Sequence, residues 1–356
     1  MEQFAFVIHP LSARRDIARK YPFVRLLPES WVEWGLRHKS PMEVSHITGV
    51  RSITGAETEG WFVGCPLTPK LLANLPLDEV YGKIIDTVRI AEDLGAKIIG
   101  LGAHTSVVGD GGITIAKNSK IAVTTGNSFT VATGIEGSIK AAEMMGIDPS
   151  SARAAVVGAA GSIGWTCSQV LARTTSMLTM VDLSQERLDG LAGRLAGSKA
   201  AVTTTTDIAS GIRDADIVIT VSSAVDAIIE PHFIKRGAVV CDIARPRDVS
   251  ARVVQERDDV LVIEGGVVAV PGDVNFNFDF GFPPKTAYAC MSETMLLALE
   301  GRCESFTLGK TVSLEQVEET NRLAAKHGFR LAGFRSFEKA VTEDQIAAIK
   351  KNAGRA

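Results

Sequence analysis

The sequence predicts an α/β protein with a Rossmann-type doubly wound parallel sheet and a second α/β domain. Three observations carry that prediction. Short apolar segments without alternation, at 154–157, 217–221, 238–242 and 260–264, recur between helical segments, as strands covered on both faces do. A glycine-rich turn, Gly158-Ala159-Ala160-Gly161-Ser162-Ile163-Gly164, joins the first of them to an amphipathic helix. The strand after that helix closes on an acid, Asp182, roughly 20 residues beyond the glycines, where a carboxylate accepts from an adenosine ribose.

From the start of the chain, Phe4–Ile8 reads as a strand and Ala13–Lys20 as a short basic helix. Residues 77–94 read as a helix stopped by Gly95, and 97–102 as a buried strand followed by His104 and the glycine-rich turn 109–112. Residues 121–124 form a further strand, leading through Thr124-Thr125-Gly126-Asn127-Ser128 into a helix of small residues at 129–145, which Asn127 or Ser128 is placed to cap.

The glycine-turn segment follows. Its spacing is GxxGxxG, one residue longer than the usual GxGxxG. Gly158 takes the tight turn, Gly161 lets backbone N–H groups approach a pyrophosphate, and Gly164 lets the helix pack on the sheet. Ile163, Cys167, Val170 and Leu171 recur at helical spacing. Ala201–Thr205 is the third strand of this domain and 207–213 a short helix. The fourth strand ends in Ser222-Ser223, which reads as a nicotinamide-side contact or as a plain strand-end turn. The fifth is followed by Arg245 and Arg247, facing phosphate or solvent, and the sixth ends at Glu264.

Residues 276–282, FNFDFGF, form an aromatic loop that walls an acyl-chain tunnel or plugs a domain interface. Pro283-Pro284 open a helix running through Glu300, residues 313–327 form another, and the tail from Thr342 is a polar helix with a frayed basic end. The expected domains are 1–128, a substrate domain completed by 285–356, and 129–284, the dinucleotide-binding domain with its flanking helix. The helices at 129–145 and 285–300 are expected to bridge the two domains and line the cleft between them.

Composition narrows the function classes. Hydrophobic content is 46%, charged content 22% and the net charge −3, which gives no bias toward nucleic acid. The 5 cysteines form no CxxC pair and are odd in number, which argues for a reducing compartment and against a zinc site or disulfide framework. Phe4–Ile8 is too short for a signal-peptide core, and no stretch of about 18 uncharged apolar residues appears, so the expected location is cytoplasmic with no membrane span. Arg14, Arg15, Arg19 and Lys20 make a basic patch suited to an acidic carrier protein or simply to solvent.

Cys290, in Tyr288-Ala289-Cys290-Met291-Ser292-Glu293, reads either as a small buried hydrophobe or as a nucleophile that holds an acyl group for hydride reduction. Cys65, Cys167, Cys241 and Cys303 read as packing residues. His104 is an acid–base candidate or a hydrogen-bonded structural histidine. Asn127 is a candidate oxyanion donor or a plain helix cap.

Several segments resemble, in order, the long-chain acyl-[acyl-carrier-protein] reductases that form fatty aldehydes in cyanobacteria. They are residues 4–10, Leu101-Gly102-Ala103-His104-Thr105-Ser106, Thr124-Thr125-Gly126-Asn127, the segment 156–164, Gly265-Gly266-Val267-Val268, Tyr288-Ala289-Cys290, the run 295–301 and His327-Gly328-Phe329. The resemblance spans about residues 4–330 and implies Cys290 as the nucleophile. It implies a fatty acyl thioester of acyl carrier protein or coenzyme A as substrate and a nicotinamide cofactor. It gives His104 no support. Members of the family use NADPH and carry an arginine just past the second strand. Here Asp182-Leu183 stand there instead, which favours NADH, while Arg187 keeps NADPH open. Two other readings stay open: a shikimate-like or 2-oxoacid dehydrogenase without covalent catalysis, although no convincing Lys/Asp or His pair is found for it, and a dinucleotide-binding regulator without turnover.

Overall fold

The computed structural model describes residues 2–265 and 267–355, apart from the side chains of Arg19 and Lys20. Half of the basic patch read from the sequence, and Gly266, therefore lie outside the described residues. The chain divides into two compact units, one of residues 1–127, 269–310 and 319–330, the other of 128–268, 311–318 and 331–356.

The first unit is built on a six-stranded sheet. Its strands are β1 (Phe4–Ile8), β2 (Met42–Arg51), β3 (Glu57–Gly64), β4 (Ile98–Gly100), β5 (Ala122–Thr124) and an edge strand, Gly272–Asn275. The order across the sheet is Gly272–Asn275, β2, β3, β1, β4, β5. β3, β1, β4 and β5 run parallel, while β2 lies antiparallel to β3 and to the edge strand. Val7, Val63, Ile99, Leu101 and Val123 on the sheet pack with Ile84 and Val88 of the helix Leu77–Asp93 as one core. The β2–β3 hairpin turns through residues 52–56, with Gly55 at a left-handed φ of 90°, and is absent from the sequence reading.

The second unit holds β6 (Arg153–Val157), β7 (Met177–Val181), β8 (Ala201–Thr205), β9 (Ile217–Thr220), β10 (Val239–Asp242) and β11 (Leu261–Glu264). All neighbouring pairs are parallel, in the order β8-β7-β6-β9-β10-β11. That is the doubly wound order 3-2-1-4-5-6, which places a ligand crevice at the carboxyl ends of the first and fourth strands. Five of its six strands are almost wholly apolar because helices cover both faces. The Rossmann-type α/β fold expected from the sequence is thus present.

The structure draws the domain boundaries differently in three places. Residues 269–284 fall in the first unit, because Gly272–Asn275 pairs with β2. Residues 311–318 and 331–356 fall in the second. There Thr166 Oγ1 donates to Val312 O at 2.8 Å, and the Glu338 amide to the Glu264 carboxylate at 2.9 Å. The polar tail helix expected from Thr342 is present as Glu343–Asn352, opened by a reciprocal cap between Thr342 and Gln345.

A further correction bears on function. The helix expected from Pro283 begins only at Ala289 and ends at Leu299. Lys285 takes a left-handed φ of 61°, its carbonyl accepts from Val270 N at 2.9 Å, and Thr286–Tyr288 continue as a short strand. Backbone in those conformations cannot propagate a helix.

Candidate functional site

In the first unit, the carboxyl ends of β1, β4 and β5 share one edge because the three strands are parallel. His9 follows β1 directly, His104 lies in the one-turn helix Ala103–Ser106 after β4, and Asn127 follows β5. Cys290 joins them by a separate route. It sits in the first turn of the helix Ala289–Leu299, which packs on β1, β3 and β4, and it is half-buried. That position faces the partial positive charge of the helix N-terminus.

Gly126 brings the Asn127 segment onto the cysteine. Its φ is +74°, and a Cβ built there would stand 2.3 Å from Cys290 Cα and 2.4 Å from Cys290 Cβ. Only glycine permits both the left-handed backbone and that approach. The segment is anchored by Glu293, one turn beyond Cys290 and wholly buried. Glu293 Oε1 accepts from Thr124 Oγ1 at 2.6 Å and from Thr307 Oγ1 at 3.0 Å. Thr125 in turn donates its backbone N–H and its hydroxyl to Thr307 O, both at 2.9 Å. Asn127 is buried and lies inside the first turn of the helix Asn127–Met144, so it is part of the helix rather than the cap ahead of it.

His104 stands edge-on to His9, with ring centroids 6.3 Å apart. Burial, and then the neighbouring His104, hold His9 down at about 4, so it is neutral near pH 7. Its Nε2 is buried without a hydrogen-bond partner. The sequence reading missed His9, although its position right after a parallel strand is a usable signal. Rings of the aromatic loop form a chain from Phe62 of β3 to Tyr288, two residues before Cys290: Phe62 to Phe280 at 5.4 Å, Phe280 to Phe282 at 5.3 Å, and Phe282 to Tyr288 at 4.3 Å. The other cysteines differ in surroundings: burial pushes the thiols of Cys65 and Cys241 up to about 11 and about 12, and that of Cys167 up as well, whereas Cys303 is exposed.

In the second unit, the glycine turn leaves β6 at Gly158, whose φ is +83°. A Cβ at Gly158 would stand 2.9 Å from Val221 O, so the ends of β6 and β9 meet at the switch point. A Cβ at Gly164 would stand 2.1 Å from Gly158 O, so at this glycine the helix presses on the glycine turn itself. Gly161 precedes the helix Ser162–Thr174 with no side chain capping it, so its first N–H groups remain available to a phosphate. Ser162 and Ile163 are half-buried in the first turn, and Ala160 is buried in the loop.

Asp182 is fixed at the end of β7: Oδ2 accepts from Ala160 N at 2.9 Å and Oδ1 from Leu183 N at 2.8 Å. Each oxygen keeps lone pairs for ribose hydroxyls. Arg187 reaches back to the same loop, donating to Ala160 O at 2.6 Å. Ser222 donates to the Asp248 carboxylate at 2.6 Å and its amide donates to the other oxygen at 2.9 Å, so it shapes the end of β9, while Ser223 is exposed. Asp248 is wholly buried and went unread in the sequence. Arg247 donates to Glu264 at 2.8 Å, and Arg245 lies 3.5 Å from the same carboxylate, so both engage a buried acid.

The family model described as shikimate / quinate 5-dehydrogenase matches residues 140–264, inside this unit. The chain is 28% identical over 366 residues to the aminotransferase PigE of a Serratia species, a match covering 98% of this chain and 42% of that protein. It therefore spans less than half of that relative. It is 26% identical over 339 residues to the long-chain acyl-[acyl-carrier-protein] reductase of Synechococcus elongatus, covering 90% of this chain and 95% of that protein. Among solved structures, L-tryptophan dehydrogenase from Nostoc punctiforme aligns at a TM-score of 0.38 and 14% identity, over 100% of this chain and 89% of that one. No helix among the described residues is long and apolar enough to cross a membrane. The family match, the strand order and the glycine turn together make the second unit a dehydrogenase-like domain of Rossmann type that takes a nicotinamide dinucleotide.

Proposed function

We propose that this protein reduces a long-chain fatty acyl thioester, carried by acyl carrier protein or coenzyme A, to the fatty aldehyde through a thioester on Cys290. One observation carries the reading: a half-exposed cysteine in the first turn of a helix, pressed against the backbone of Gly126 just ahead of Asn127. Similarity to the Synechococcus reductase along nearly its whole length supports it.

In this reading the Cys290 thiolate attacks the acyl carbonyl carbon, the new S–C bond forms, and the carrier's C–S bond breaks as its thiol leaves with a proton. The dinucleotide supplies the hydride that reduces the acyl carbon. Collapse of the thiohemiacetal then breaks the Cys290 S–C bond, restores the thiolate and frees the aldehyde. Asn127 and the N–H groups opening its helix stabilise the oxyanion of each tetrahedral stage. His104 carries the proton to and from the departing groups. Asp182 accepts from the ribose hydroxyls and repels a 2′-phosphate, so NADH is the preferred reductant. The aromatic rings leading to Tyr288 line the path of the acyl chain.

Aldehyde formation from palmitoyl thioester and NADH tests the reading. Cys290→Ala is expected to lower the rate at least about a thousandfold with the fold intact. Retention of turnover by that variant removes the covalent route. A shikimate-like dehydrogenase is favoured by the family match alone, which lies within the nucleotide-binding unit and touches none of the first unit's residues. That reading is supported instead if Cys290→Ala still oxidises or reduces a polar hydroxy- or keto-acid.

A further inference from the structure

Residues 13–38 form a small helical layer in the first unit: the helix Ala13–Lys20, the turn Pro22–Leu26 and the helix Glu29–His38. Ala13, Val24, Val32 and Leu36 make a core of their own, joined by Ile17, Leu27 and Leu71. That core leaves a second apolar set outside. Phe23 is 62% exposed, Leu26 87%, Trp31 67%, Trp34 68% and Tyr21 42%; of the 13 large apolar side chains exposed among the described residues, these 5 fall within a span of 14.

In the helix Glu29–His38 the two sets lie on opposite faces. Val32 and Leu36, four apart, face the core, whereas Trp31 and Trp34, three apart, share the outer face with His38, whose ring lies 4.7 Å from that of Trp34. A soluble surface helix needs only one apolar face.

Charge completes the pattern. Residues 13–38 hold six Lys and Arg against three acids, in a chain whose formal net charge is −3. Arg14 and Arg25 are exposed and tied together, Arg14 donating to the Arg25 carbonyl. The layer is thus a cationic spot on an anionic protein, which orients the molecule toward a negative surface and turns the rest away. Exposed Trp, Phe and Leu set among arginines match the chemistry of a bilayer interface, where aromatic rings lie at headgroup level and arginine meets phosphate. An acidic soluble carrier is satisfied by the charges and leaves two outward tryptophans and Leu26 without a counterpart.

We propose that residues 13–38 seat this protein on the face of an anionic phospholipid bilayer, with Phe23, Leu26, Trp31 and Trp34 entering the headgroup boundary and Arg14 and Arg25 meeting lipid phosphate. The inference stands apart from the catalytic reading.

The full chain is sedimented with vesicles of phosphatidylcholine, with and without added phosphatidylglycerol, and tryptophan emission is followed with brominated acyl chains as quencher. The wild type is expected to bind only the phosphatidylglycerol vesicles, to detach as salt rises, and to show blue-shifted, quenched emission. Trp31→Ser/Trp34→Ser is expected to weaken binding about tenfold or more, with an unchanged unfolding midpoint. A second pair, Phe23→Ser/Leu26→Ser, is expected to do the same with all tryptophans in place. Wild-type protein left in solution with both vesicles at low salt overturns the proposal. So does undiminished binding by both variants, equal binding to both vesicle types, or loss by the variants of affinity for acyl carrier protein alone.

Discussion

Gly126 is the position at which chemistry and backbone conformation meet most tightly. A methyl group there needs a left-handed conformation that costs about 1–3 kcal/mol in a non-glycine residue, and it collides with Cys290 as well. Gly126→Ala is therefore expected to lower stability by at least about 1–3 kcal/mol in urea unfolding, and to slow both alkylation of Cys290 by iodoacetamide and its acylation by acyl thioester more than fold loss explains. Full stability and full thiol reactivity would show that the two segments do not press together. His9 sets a pH dependence. Its folded state holds the ring neutral down to about 4, while the unfolded chain takes a proton near 6.5. Stability from this group is complete above about 6.5 and is lost as the pH falls toward 4, because the unfolded state binds the proton first. Unfolding free energies measured across that window should fall with pH in the wild type and flatten in His9→Asn. Asp182 governs the reductant: Asp182→Ala is expected to lower the NADH-to-NADPH ratio of kcat/KM by about tenfold or more, which steady-state assays with both cofactors measure. Asp182 was legible because strand, glycines and acid stand at fixed spacing. His9 was legible only by its place after a parallel strand, since nothing in one short segment marks a histidine as buried against another 95 positions away.

The helix Ala289–Leu299 shows what a local pattern hides. Two prolines before an apolar run look like a helix start, and a helix from Pro283 would hold Cys290 in its second turn. The left-handed Lys285 and the bond from Val270 N to Lys285 O instead keep 285–288 out of the helix, so Cys290 gains the end position where the dipole acts. That decision rests on a partner strand, which local propensity does not report. Glu293 is a similar case. Its partners Thr124 and Thr307 lie 169 and 14 positions away, and only the fold gathers them. Glu293→Ala removes the acceptor that the Thr124 and Thr307 hydroxyls share, at about 1–3 kcal/mol each, and loosens the segment that carries Gly126 and Asn127. Glu293→Gln keeps an acceptor and is expected to retain most of both stability and activity. The glycine turn was the opposite case, a short segment whose function is set by its own backbone. Gly164→Ala drives a Cβ against Gly158 O and is expected to weaken NADH binding while leaving Cys290 reactive toward a small alkylating agent.

Across the whole chain, the parallel sheet of the second unit was readable strand by strand because five of its six strands are compact apolar runs between helices. The limits of the units were not, because the chain returns: residues 311–318 and 331–356 belong with the second unit although 319–330 belong with the first. No composition shift marks such a crossing. The antiparallel hairpin of β2 and β3 escaped notice for a related reason, since its burial follows from pairing with β1 and Gly272–Asn275 rather than from its own pattern. The proposed reduction turns on a thioester at Cys290. Intact-mass spectrometry of the protein mixed with palmitoyl thioester, before and after NADH, measures it directly. The wild type should gain one palmitoyl group that NADH discharges as aldehyde, and Cys290→Ala should gain none; an equal adduct on Cys290→Ala, or a wild-type adduct that NADH leaves in place, would contradict it.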